Sequence, residues 1–172
     1  ARRRAPRVPT SRGLRCGRGA NSCGGGDETT TTFLRKMKDA FWWGYVGLHR
    51  DGDLPAVERA DGTREWWIDG KRHRAGDLPA VIHKNGDMEW WWNGMRHREG
   101  DKPALVRSYG RSEWFYAGQR HRRRLCGPAL MHPNGDREWW NFGKRHRVEG
   151  PAIISVYGDE WWSHGYRQAT EK

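Results

Sequence analysis

Five His-Arg pairs recur along the chain: His49-Arg50, His73-Arg74, His97-Arg98, His121-Arg122 and His146-Arg147, spaced by 24, 24, 24 and 25 residues. Histidine is the commonest metal ligand and titrates near neutral pH, so a metal or acid-base site is the first chemistry to weigh. Each copy also places one acid ahead of two aromatics, at Glu65, Glu89, Glu113, Glu138 and Glu160. Acid-base work needs titratable groups gathered in one cleft, and one Glu per copy does not gather them. Tetrahedral zinc holds its ligands about 2 Å away, whereas two-stranded units stand roughly 10 Å apart. A column of His so spaced cannot surround one ion. The chain therefore reads as non-enzymatic, with no catalytic residue, no metal and no cofactor. Its His are expected to hydrogen-bond the connector backbone. Its Glu are expected to form a ladder of ion pairs with Arg or His of adjacent strands, each exposed pair worth at most about 1 kcal/mol.

The remaining landmarks recur with the same period. Every copy carries Pro-Ala (Pro55, Pro79, Pro103, Pro128, Pro151), a turn ending in Gly (Gly62, Gly86, Gly110, Gly135, Gly158) and a closing Gly (Gly70, Gly94, Gly118, Gly143, Gly165). Such self-similarity marks a repeat array, whose units bury apolar groups against their neighbours. The turn dipeptides Asp61-Gly62, Asn85-Gly86 and Asn134-Gly135 favour tight hairpins, while Tyr109-Gly110 and Tyr157-Gly158 keep only the Gly and leave the turn type open. One hairpin per copy is expected, joined to the next through a Gly-x-Arg-His-Arg connector. The fold class that follows is all-β, an elongated repeat array of antiparallel β-hairpins. Side chains alternate along a strand, so the two Trp of each pair are expected on opposite sides of the sheet.

The array begins with half a unit near Phe41 and ends near Arg167, with Gln168 where a further His would stand. The resulting division is a basic arm over 1–32, a cap and half repeat over 33–48, five repeats over 49–167 and a tail over 168–172. Of 32 Lys and Arg and 21 Asp and Glu, ten and three fall in residues 1–40, leaving 22 and 18 beyond. Most of the positive surplus thus sits in residues 1–40, and the Pro, Gly, Ser and Thr of the arm predict a disordered or extended segment. The arm is also Arg-rich and acid-poor like an organelle transit peptide. Cys16, Cys23 and Cys126 make an odd count without tight Cys-x-x-Cys spacing, so neither a disulfide framework nor a zinc site is expected. No apolar run approaches a membrane span. A soluble, reducing intracellular compartment is the expectation, with import through the arm as the alternative.

The connectors Gly70-Lys71-Arg72-His73 and Gly143-Lys144-Arg145-His146, each preceded by Trp and two further residues, resemble MORN repeats (membrane occupation and recognition nexus). The resemblance covers about residues 41–167. The chain departs from the standard unit by His-Arg in place of His-Gly, by an added Pro-Ala shortly after a Gly and by doubled Trp. In this it is closer to the divergent MORN-like repeats of antitoxin-like, phage and large-DNA-virus proteins. The resemblance implies an elongated antiparallel sheet without catalytic residues, used for protein contacts and sometimes found at membranes.

Function is accordingly expected to be that of a scaffold holding a protein partner on a Trp- and Arg-lined sheet surface. Trp67, Trp91, Trp140 and Trp162 are the expected anchors, since large aromatics dominate interface energetics. The competing expectation is contact with a polyanion, nucleic acid or acidic lipid, through a comb of Arg interleaved with Trp. Arg74, Arg98, Arg122, Arg123, Arg124 and Arg147 would form that comb, with Arg2, Arg3 and Arg4 of the arm adding to it. Trp-rich hairpin repeats also build choline-binding cell-wall modules, from which the basic connectors and regular Glu set this chain apart.

Overall fold

The computed structural model describes residues 39–123 and 126–169. The expected arm, with Arg2, Arg3 and Arg4, lies outside them, as do Cys16, Cys23, Arg124 and residues 170–172. The described chain is all-β. A ten-stranded antiparallel sheet takes its strands in sequence order, two from each full copy, beginning at Ala40–Phe41 and ending at Ile153–Ile154. Each strand is two residues long, as in Val57–Glu58 and Arg64–Glu65. At about 4.8 Å per strand the sheet is roughly 45 Å across, which agrees with an elongated array.

One rung of this sheet is the core. Running from strand to strand it reads Phe41, Val57, Glu65, Val81, Glu89, Leu105, Glu113, Leu130, Glu138, Ile153. The first strand of each copy supplies an aliphatic residue and the second supplies the Glu. Between copies sits the Ala of each Pro-Ala pair, fully enclosed at Ala56, Ala80, Ala104 and Ala152. Ala80 shows why nothing larger stands there: its N–H donates to the Glu89 carbonyl while its own carbonyl accepts from the Trp66 N–H. Backbone thus lies against it on both sides.

The structure differs from the expected single hairpin per copy. The Gly-x-Arg-His-Arg connector is itself half of a second hairpin, Trp67–Ile68 with Lys71–Arg72, and five further hairpins stand at the equivalent places. The cause is a tight turn in which both central residues have positive φ, 48° at Asp69 and 74° at Gly70, the geometry that lets a two-residue loop follow strand twist. In the first hairpin of each copy the reverse holds: Gly62 has φ 94° and Asp61 does not share the positive angle. Only the Gly is needed there, which is why Tyr109 and Tyr157 substitute for Asp or Asn without changing the turn: Gly110 N–H still donates to the Arg107 carbonyl as Gly62 N–H does to Arg59. Each of the first four copies therefore contributes one hairpin to the long sheet and one to a row beside it, while the fifth gives the sheet one strand, Ile153–Ile154.

Candidate interaction surface

The two Trp of each pair lie in separate stacks. In the first stack Trp66, Trp90 and Trp114 are buried, and each carries on its ring the Arg that follows the repeated His: Arg74 over Trp66 at 3.7 Å, Arg98 over Trp90 at 3.8 Å and Arg122 over Trp114 at 4.0 Å. These guanidinium groups also clasp Asp carboxylates of the preceding copy in two-pronged pairs, Arg74 with Asp53, Arg98 with Asp77 and Arg122 with Asp101. The Arg neighbours hold all three Asp carboxyls below the usual carboxylate range. Their side chains are only 13–16% exposed. Three teeth of the expected Arg comb are therefore joints between copies.

The second stack contains the expected anchors. Trp67, Trp91, Trp140 and Trp162 are half-buried, and Arg side chains alternate with them: Arg72 lies between Trp67 and Trp91 at 4.9 and 5.2 Å, Arg96 between Trp91 and Phe115 at 4.9 Å on each side, Arg120 between Phe115 and Trp140 at 5.7 and 4.7 Å, and Arg145 between Trp140 and Trp162 at 5.1 and 5.2 Å. Stacked cation and aromatic groups attract through the ring quadrupole. The core Glu holds both partners in register: Glu65 accepts from the Trp67 indole at 3.1 Å and pairs with Arg72 at 2.9 Å and Arg59 at 2.6 Å. The expected ion-pair ladder is present, but its acids Glu65, Glu89 and Glu113 are buried rather than exposed. Burial opposes ionisation of Glu65, yet Arg59 and Arg72 outweigh it and lower its pKa, as Arg96 and His83 do for Glu89.

A third row faces outward, and it is the one the repeat pattern does not single out. The residue after the second aromatic differs from copy to copy: Ile68, Trp92, Tyr116, Asn141, Ser163. Trp92 is 47% exposed and Tyr116 53%; Met95 lies opposite Trp92 and is exposed too. Phe142, in the turn of the fourth copy, is 52% exposed. The repeated His line this strip. His73 contacts Trp92 at 4.4 Å between ring centres, His97 contacts Tyr116 at 5.1 Å and His121 stacks on Phe142 at 4.1 Å. As expected, each of these His meets backbone, in the turn of the hairpin that follows it. The turn N–H groups of Asp69, Asn93, Ala117, Phe142 and His164 point at Nδ1 of His49, His73, His97, His121 and His146 at 3.2–3.5 Å. A ring nitrogen that accepts is unprotonated, so a bond of this kind joins adjacent hairpins through a bare Nδ1; at His49 the same Nδ1 also faces the Asp69 carboxylate at 3.1 Å. At His121 burial, with Arg123 adding to it, lowers the pKa against the opposing Asn141 hydrogen bond.

Phe142 is strained as well as exposed. Its φ of 44° is left-handed backbone that costs a non-Gly residue about 1 kcal/mol or more, and Asn93 occupies the same turn position two copies earlier. The turn imposes that angle on Asp69, Asn93, Ala117, Phe142 and His164 alike, 44–51°, and Phe142 is the one large apolar side chain among them. The signal was available in the sequence as Phe142-Gly143 aligned with Asn93-Gly94, but only a second hairpin gives it meaning.

Among the described residues no three His, Cys, Asp or Glu gather to hold a metal ion, and no helix is long and apolar enough to cross a membrane. Fold and surface together define an all-β hairpin-repeat protein whose recurring polar residues join one copy to the next. No model of a known protein family matches the chain, and comparison with functionally characterised proteins gives no match either.

Proposed function

We propose that the chain is a non-catalytic, MORN-like repeat scaffold that holds a protein partner on the outward strip of its hairpin row. Trp92, Tyr116 and Phe142 are the anchors, with Met95 opposite Trp92. The observation that supports this most is the exposure of these aromatics on adjoining copies, since monomeric proteins rarely leave large apolar groups contiguous on the surface without a use. Trp67, Trp91, Trp140 and Trp162 lie in the Arg stack behind the strip and act by keeping it flat. The polyanion reading has less support within the array, because Arg74, Arg98 and Arg122 already hold carboxylates.

Affinity capture from the native source tests the reading, using the wild-type chain beside the combined variant Trp92→Asp, Tyr116→Asp, Phe142→Asp. A protein retained by wild type and lost by a variant of equal Tm is the expected result. Equal retention by both, with the fold intact, contradicts it.

A further inference from the structure

The junction between the fourth and fifth copies lacks a part that the other junctions have. Where Arg74, Arg98 and Arg122 clasp Asp53, Asp77 and Asp101, the Asp stands 21 residues before its Arg and two before a Pro. For Arg147 the residue in that place is Cys126, two before Pro128. A thiol cannot accept two parallel N–H bonds as a carboxylate does. The rest of the arrangement is kept: the Arg147 guanidinium lies 3.8 Å over Trp139 and donates through Nη1 to the Pro151 carbonyl at 3.1 Å. Its other edge, Nε and Nη2, has no carboxylate among the described residues. Glu149 lies near and is not a free acid.

Arg147 borders an open cavity of about 610 Å³. Arg123, His121 and Glu149 also line it, Trp140 adds an apolar wall, and Gly127 sits where a Cβ would come within 3.1 Å of Arg122 Nη1. Arg122 is itself occupied by Asp101. A cavity bordered by a guanidinium with one edge facing no carboxylate of the described residues, by a second, exposed cation in Arg123 and by a Glu149 that is already engaged favours a negatively charged occupant. The geometry of the three complete junctions states which one: a planar carboxylate, held by two parallel N–H donors.

We propose that Arg147, stacked on Trp139, is a binding site for a carboxylate supplied from outside the chain, taking the place that Asp53, Asp77 and Asp101 fill elsewhere. The acid can be an Asp or Glu side chain of a polypeptide or a small free carboxylate. The site stands independently of the outward strip, because its argument rests on the junction and not on Trp92, Tyr116 or Phe142.

Glutarate and a hexaglutamate peptide, titrated separately into the full chain at low salt with Trp fluorescence as readout, test the site and distinguish the sources. Saturable quenching by the peptide alone assigns a polypeptide acid; quenching by glutarate, with or without the peptide, assigns a site open to free carboxylates. In Arg147→Gln the affinity is expected to fall about tenfold or more, the loss of a charge-assisted pair. Arg137→Gln, exposed away from the cavity, should leave it unchanged. Cys126→Asp supplies the acid internally and should weaken binding likewise while raising Tm, which Cys126→Ser should not do. Absence of quenching by both probes, or equal affinity of wild type and a folded Arg147→Gln, overturns the proposal.

Discussion

The ten-stranded sheet and the row of hairpins beside it are made by the same five copies, yet they spend sequence differently. The sheet repeats its residues almost without change: Ala enclosed, an aliphatic and a Glu on the core rung, a Gly at the turn. The hairpin row keeps its second aromatic and its Arg but changes the residue that faces out, from Ile68 to Trp92, Tyr116, Asn141 and Ser163. A position that repeats in a stacked array is one whose side chain touches the next copy. A position that varies is released from that duty and free to meet something else. The contrast is sharpest at Trp90, Trp91 and Trp92, three identical residues that are buried at 7%, half-buried between Arg72 and Arg96, and 47% exposed.

The comparison breaks most visibly if a repeated residue proves dispensable. Arg72→Met removes one of two cations from buried Glu65 and a stacking partner from both Trp67 and Trp91. Arg59 still pairs with Glu65 at 2.6 Å, so the cost is that of a hydrogen bond to a charged group, about 1.5–3 kcal/mol, and equilibrium urea unfolding should show a loss of that order. A loss below about 1 kcal/mol would mean that the column is not a joint.

Acid should act on the same joints throughout the array. Glu65, Glu89, Asp53, Asp77 and Asp101 have folded pKa values below their ordinary ones, so their contribution is complete above the unfolded carboxylate range of about 4. It is lost as pH falls through the lowered folded values. His121, also lowered, adds a smaller contribution that is present above about pH 6.5 and lost as pH falls through its folded value. Tm followed from pH 8 downward should show a shallow decline below about 6.5, abolished by His121→Asn, then a steep one below about 4.

A smaller change, of opposite sign, is expected in the hairpin row. Phe142→Asn replaces a strained aromatic by a residue that tolerates left-handed backbone, as at Asn93. It should stabilise the chain by up to about 1 kcal/mol, offset by the lost stacking on His121, and should weaken partner capture. Stabilisation without any loss of capture would remove Phe142 from the strip.

Much of the sheet is legible in the sequence, because its period, its Pro-Ala, its Glu and its turn Gly are each dictated by contacts with an identical neighbour. The Glu ladder and the backbone-bound His follow from spacing alone. The second hairpin is harder to read: Asp69-Gly70 and Asn93-Gly94 are tight-turn dipeptides, but Ala117, Phe142 and His164 take the same positive φ without resembling Asn or Gly. The outward strip is harder still. Trp91 and Trp92 look alike in sequence, and what separates them is the alternation of a two-residue strand that only the turn position sets. The surroundings of Arg74, Arg98 and Arg122 were hidden for another reason, since the Asp that each one holds belongs to the preceding copy.

Urea unfolding of Trp90→Ala and Trp92→Ala tests this division of labour most directly, as the substitution is the same and the sites lie two residues apart. Trp90→Ala removes a buried ring from under Arg98 and should cost about 3–5 kcal/mol. Trp92→Ala, on the exposed strip, should cost below about 1 kcal/mol. Equal losses at the two positions would contradict the account, because the variable row would then be as much a part of the stack as the repeated one.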